Sequence, residues 1–284
     1  MQFIEHFDGL HAIAGLLVGL LVGLTGVGGG SLMTPLLVLM FGVNPQTAVG
    51  TDLLYASITK TTGSAVHGWR ETVDWKIVRR LAYGSVPAAL ITLAVLAQTG
   101  KVNPATQHVI LVALSVLLAL TALTVLFRGW LLRFAGEMDP MKPRSKVVAA
   151  TILLGAVMGV TVTVSSVGAG AIGVTVLLML YPRLPVVKVV GSDIAHAVPL
   201  TLVAGLGHWM IGDVNGVLLA NLLVGSIPGV IVGSLLSTHA PDKVLRPLLA
   251  AVLVVSAWQL YLKTQKADGE KPKPVATASA VPAK

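Results

Sequence analysis

Residues 50–67, GTDLLYASITKTTGSAVH, and residues 191–208, GSDIAHAVPLTLVAGLGH, are the stretches on which the fold turns. Set at an offset of 141 and continued without a gap to Pro87 and Pro228, they share nine identities in 38 positions. Asp52 falls on Asp193, His67 on His208, and Gly84-Ser-Val-Pro87 on Gly225-Ser-Ile-Pro228. Upstream, an offset of 140 sets Gly28 on Gly168 and Gly30 on Gly170. Shared apolarity alone does not put Asp, His and Pro in register, so the chain is a diverged internal duplication.

Apolar stretches run outward from this repeat, at about 10–24, 30–42, 47–66, 76–98, 105–128, 147–164, 169–181, 187–210, 214–237 and 242–262. A full crossing of a bilayer takes about 20 residues. The stretches 30–42 and 169–181 are too short and read as half-spans or re-entrant segments. Each follows a glycine-rich break, Gly26-Val-Gly-Gly-Gly30 or Gly168-Ala-Gly170. Of 284 residues, 55% are hydrophobic and 11% charged, against about 25% charged in a soluble domain. Lipid must therefore be the solvent for most of the chain.

The expectation is an all-α, polytopic transmembrane bundle of two repeats, each of about five apolar segments with one broken or re-entrant helix. Both possible crossing counts per half, five or three, are odd. The halves then face opposite ways, which is an inverted-topology repeat. The boundaries read as 1–128 for the first repeat, 129–146 for a basic connection, 147–262 for the second repeat and 263–284 for a disordered tail.

The net charge of +8 lies in short connections and the tail, not along an aromatic-interleaved face, which argues against a nucleic-acid partner. Arg128, Arg133, Lys142, Arg144 and Lys146 put the central connection on the cytoplasmic side. Counting outward places Arg70, Lys76, Arg79 and Arg80 inside, and Asp213 with the acidic Glu5 and Asp8 outside. The same count leaves the lysine-bearing tail outside, against the charge rule. The N-terminus lacks the basic start of a cleavable signal, so the first apolar stretch is expected to be retained. With no cysteine, disulfides and thiolate metal sites are excluded.

A helix interrupted in lipid leaves backbone donors that need a cavity or a ligand. Half-helices starting near Ser31 and Ala171 would present free N-termini, which attract anions. Gly28, Gly29, Gly30, Gly168 and Gly170 with the hydroxyls of Thr25, Ser31, Ser165 and Ser166 form the candidate anion site; the alternative is that these glycines only let helices pack closely. Asp52, Lys60, Asp193 and His196 are ionisable groups inside apolar stretches, where charge costs roughly 2.5–3.5 kcal/mol and marks function. Lys60, opposite Thr201 in the other half, would neutralise an anionic solute or pair with a carboxylate. Asp193 and His196, three apart on a helix, could handle a proton with Asp52 as coupling groups. Thr51-Asp52 and Ser192-Asp193 also read as helix N-caps, which competes with that role. His67 and His208 read as interfacial, and Pro87 and Pro228 as kinks. No enzymatic signature stands out, and no cofactor or bound metal is expected.

Gly-Val-Gly-Gly-Gly-Ser from Gly26, then Pro35, Ala48-Val-Gly-Thr51, Gly63 and His67-Gly68, with Ser165–Trp209 in the second half, resemble the sulfite exporter TauE/SafE family, or TSUP permeases, over about 10–262. The resemblance implies a multi-pass protein of the bacterial inner membrane that moves small anions such as sulfite, other sulfur oxyanions or organosulfonates. Asp52 stands where many members carry a small polar residue, which points to ion or proton coupling. A carrier of carboxylates or of a metal cation held by Asp52 and Asp193 is the alternative within transport. A scaffold without flux is the alternative outside it. The partners expected are a small anionic solute and the bilayer, and self-association into a homo-oligomer is compatible with the sequence.

Overall fold

A computed structural model describes residues 8–25, 30–67, 73–99, 104–127, 129–130, 144–168, 170–236 and 242–269. The described residues form α1 (Gly9–Thr25), α2 (Gly30–Leu39), α3 (Pro45–His67), α4 (Trp75–Gln98) and α5 (Pro104–Leu126) in the first repeat. The second repeat supplies α6 (Arg144–Ser165), α7 (Ala171–Leu180), α8 (Val186–Met210), α9 (Gly216–Leu236) and α10 (Asp242–Gly269). Among the described residues there is no strand.

Local chemistry sets the boundaries. Asn44 and Asp74 each cap a helix start with a side-chain oxygen, accepting from the backbone N–H of Gln46 at 3.0 Å and of Lys76 at 2.9 Å. Pro45 and Pro104 stand at first helical positions, where the missing N–H costs nothing. α2 and α7 are 10 residues each, about 15 Å long and half the hydrocarbon thickness. Six helices, from α4 to α6 and from α8 to α10, are long and apolar enough to cross a membrane.

The 23-residue α3 is long enough but less apolar, because it lies inside. Thr51, Asp52, Ser57 and Thr59 on it are all buried, while Leu90 and Ile91 of α4, Val109 of α5 and Leu153 of α6 are exposed. The polar side chains of α3 are buried, and large apolar ones cover the outer faces of α4, α5 and α6. That is the arrangement lipid selects.

The contacts pair helices across the repeats: α1 with α9, and α6 with α4, its counterpart pair under exchange of the two halves. Likewise α2 and α3 match α7 and α8, while α2 and α10 match α7 and α5. α3 packs on α8, running antiparallel: a Cβ on Gly50 would meet the His208 Cβ at 2.9 Å, and one on Gly205 would meet the Leu54 nitrogen at 2.9 Å. Equivalent helices running in opposite directions are consistent with an inverted repeat.

Two expectations change. α10 continues past Leu262 to Gly269, so the first part of the expected disordered tail is helical. At the start of this extension the Lys263 Nζ donates to the Val38 carbonyl at the C-terminal end of α2, 3.0 Å away. Thr51 and Ser192 are not N-caps. They lie well inside α3 and α8, because Asn44-Pro45 and Pro185 start those helices earlier.

Candidate functional site

Thr51 and Ser192 instead hold the two halves together. The Thr51 hydroxyl accepts from the Asn215 backbone N–H at 3.1 Å, and the Ser192 hydroxyl accepts from that of Asp74 at 2.8 Å. Asp74 and Asn215 are themselves equivalent under the offset of 141. Each latch ties the start of α4 or α9 to the central helix of the other repeat. Near the first latch, Gln46 Nε2 donates to Asp213 Oδ2 at 2.7 Å, and His208 Nε2 lies 2.9 Å from the Thr163 carbonyl. His208 is thus fully buried rather than interfacial. The His67 side chain lies outside the described residues.

The second break runs from Ser166 to Gly170. Ser166 has a φ of 57°, Gly168 of 120° and Gly170 of 114°, so this segment turns through the left-handed region before α7 begins. Ser165 closes the turn: its hydroxyl donates to the Thr161 carbonyl at 2.7 Å and accepts from the Val167 N–H at 3.1 Å. That occupies the hydroxyl in shaping the break. Ser166 is buried, and its hydroxyl has no hydrogen-bond partner.

Asp52 is fully buried, and its Oδ2 accepts from the Thr34 hydroxyl of α2. Its Oδ1 has no partner at hydrogen-bond distance, and the Ser166 hydroxyl lies near enough to favour the charged carboxylate. Asp193 is 1% exposed and faces the Gly170 N–H at the head of α7. Its Oδ1, also unpartnered, lies against Gly173, where a Cβ would come within 2.6 Å of it. Each half-helix therefore meets a carboxylate of its own repeat near its N-terminal end, where negative charge is favoured. The expected free N-terminus of α7 is already engaged by the protein.

Lys60 on α3 is half-buried, within electrostatic reach of both Asp52 and Asp193. Among the described residues its ammonium makes no hydrogen bond or close ion pair. Asp193 and His196 do not pair: His196 Nε2 lies 2.7 Å from the Ser85 hydroxyl of α4, and its Nδ1 is unpartnered. A buried polar atom left unpaired costs about 1–3 kcal/mol. Four of them, on Asp52, Ser166, Asp193 and His196, belong to groups facing the second break or Lys60. Their grouping in one place marks it as the candidate site for a polar ligand.

The remaining candidates are less central. Thr25 Oγ1 donates to the Leu21 carbonyl at 2.7 Å, Ser31 is buried near the head of α2, and Gly30 is the first residue of that helix. Gly28 and Gly29 lie outside the described residues. Thr34 and Ser85 were missed from sequence; a threonine in a half-length apolar helix was the available signal for the first.

A family model for the sulfite exporter TauE/SafE matches residues 11–260. The probable membrane transporter protein YjnA of Bacillus subtilis is 40% identical over 252 residues, covering 87% of this chain and 97% of its own. YdhB of the same organism, also a probable membrane transporter protein, is 25% identical over 73% of this chain and 81% of its own. The probable membrane transporter protein MJ0441 of Methanocaldococcus jannaschii is 24% identical over 74% of each chain. No solved structure matches significantly. The relatives are named transporters rather than enzymes, and the apolar helices agree with a multi-pass protein of the bacterial inner membrane. The chain belongs to the sulfite exporter TauE/SafE family of membrane transporters.

Proposed function

We propose that this transporter carries a small anion, of the class of sulfite, another sulfur oxyanion or an organosulfonate, as an exporter or permease. It works by alternating access between inverted halves. The observation that supports this reading is Lys60, an ammonium on α3 within electrostatic reach of Asp52 and Asp193 but with no close ion pair among the described residues. Such a charge is costly in lipid and is balanced when an anion arrives. Lys60 and Ser166, with the break from Gly168 to Gly170 and its counterpart at Gly28, Gly29 and Gly30, form the binding element. Asp52, Asp193 and His196 serve as the coupling groups.

A metal cation fits less well. Among the described residues no group of three or more His, Cys, Asp or Glu side chains comes together, and Lys60 repels a second cation. A scaffold role leaves the buried, unpartnered polar atoms without a purpose.

The test is flux into proteoliposomes with a panel of sulfite, thiosulfate, short alkylsulfonates and short carboxylates. One or more sulfur oxyanions or sulfonates should move, and Lys60→Gln should reduce their apparent affinity more than tenfold while thermal stability stays near the parent value. A large loss of stability with Lys60→Gln, rescued by neutralising Asp52 or Asp193, would instead make Lys60 a structural partner. Flux of carboxylates alone, or of none of the panel, would overturn the substrate class.

A further inference from the structure

The break from Ser166 to Gly170 joins two buried carboxylates, with Ser166 facing Asp52 at one end and the Gly170 N–H facing Asp193 at the other. Lys60 is within electrostatic reach of both. The polar atoms left over at this place are of two kinds. Asp52 Oδ1 and Asp193 Oδ1 are acceptors without a hydrogen bond, the Lys60 ammonium is a donor without one among the described residues, and the Ser166 hydroxyl stands beside Asp52, within reach of the carboxylate. His196 Nδ1 is unpartnered as well and takes either role with its tautomer. Asp52, Asp193 and His196 are at most 1% exposed and Ser166 is 6% exposed. None of the four recovers its hydrogen bonds from bulk water.

An anion with acceptors alone satisfies Lys60 and Ser166 but leaves both carboxylate oxygens unpaired. A ligand that complements the whole set brings an anionic head for Lys60 and Ser166 and a donor for a carboxylate. We infer that the transported solute is a small anion carrying its own hydrogen-bond donor, a hydroxyl or ammonium group within a few bonds of the anionic head, which Asp52 or Asp193 accepts. This deepens the anion reading above and rests on it. Selection by unpaired buried acceptors is steep, because a ligand lacking the donor leaves them desolvated and empty-handed.

The full-length protein in proteoliposomes tests this with three probes that share a head group: ethanesulfonate, 2-hydroxyethanesulfonate and 2-aminoethanesulfonate. Each is measured as a competitor of a transported tracer from the panel and as a ligand in thermal-shift titration, at fixed pH and salt. At least one donor-bearing probe should bind tenfold or more tightly than ethanesulfonate. Asp52→Asn or Asp193→Asn should shrink that preference to threefold or less. The comparison among ligands on the parent protein needs no variant, so a misfolded variant does not decide the matter.

Equal or tighter binding of ethanesulfonate would overturn the inference. So would a preference that vanishes on acidification because ethanesulfonate gains affinity, since the carboxylic acids would then be supplying the proton. Transport of inorganic sulfite with no binding of any of the three would overturn it while leaving the anion reading standing. Failure of every anion in the panel would remove the reading itself.

Discussion

Ser166 holds a backbone conformation that costs an ordinary side chain about 1–2 kcal/mol, and its buried hydroxyl stands beside the Asp52 carboxylate. Its equivalent in the first repeat is Gly26, the residue that this conformation favours. Retaining serine against that cost is explained if the hydroxyl contacts the solute beside Asp52. Ser166→Gly is therefore expected to leave thermal stability unchanged or raise it by about 1 kcal/mol, while lowering solute affinity several-fold. Unchanged affinity would show that the hydroxyl is unused. Ser165, its neighbour, behaves differently because its hydroxyl is consumed in the turn. Ser165→Ala should lower stability and disturb transport only through the shape of the break.

At the scale of elements, the tightest contacts are the glycine faces of two equivalent helix pairs. A Cβ on Gly225 would lie 1.8 Å from the Ala12 carbonyl oxygen, and one on Gly84 would lie 1.9 Å from that of Ile152. Along α1, Gly15, Gly19 and Gly23 meet Leu222, Ser226 and Val230 of α9 in rising order, so these helices run parallel. Gly155 and Gly159 of α6 meet Leu81 and Ser85 of α4 in the same sense. Backbones this close gain dispersion and leave no room for a methyl group, the usual means of helix association in lipid. Gly84→Val and Gly225→Val should each destabilise the folded protein by at least the 1–3 kcal/mol typical of overpacking, and by similar amounts, since the sites are equivalent. Gly216→Ala, whose Cβ would meet only Trp209 at 3.6 Å, is the control and should cost little. A small loss at Gly225 with a large one at Gly216 would contradict this packing.

For the whole molecule, parallel packing links distant parts of the chain to common membrane faces. α1 and α9 start at one face, so the N-terminal end of α1 and the Asp213 turn lie together; α4 and α6 start together, which joins Asp74 to Ser145. This grouping agrees with the sidedness read from Lys and Arg, with Ser145 cytoplasmic and the Asp213 turn outside. In this cysteine-free chain, Met210→Cys, 86% exposed in the parent, should react with an impermeant thiol reagent added to intact cells. Ser145→Cys should react only after permeabilisation, and the reverse pattern would invert the assignment.

The duplication, the approximate extent of the helices, the two half-length helices and the ionisable positions inside apolar stretches were legible in the sequence. Each of these depends on residues near one another in the chain, or on a register that duplication preserved. Hydropathy separates lipid-facing from interior positions because lipid penalises polar groups wherever they stand along the chain. The partners of Asp52, Ser192, His196 and Lys263 could not be read in the same way. Thr34, Asp74, Ser85 and Val38 reach them from other helices. Which hydroxyl is consumed by a turn, as in Ser165, and which is left unpaired, as in Ser166, is set by the φ values of the break. A hydrogen bond is short and directional. It forms or fails on shifts in helix position that no periodicity records, and only the packing of α2 on α3 and α10 and of α4 on α8 decided them.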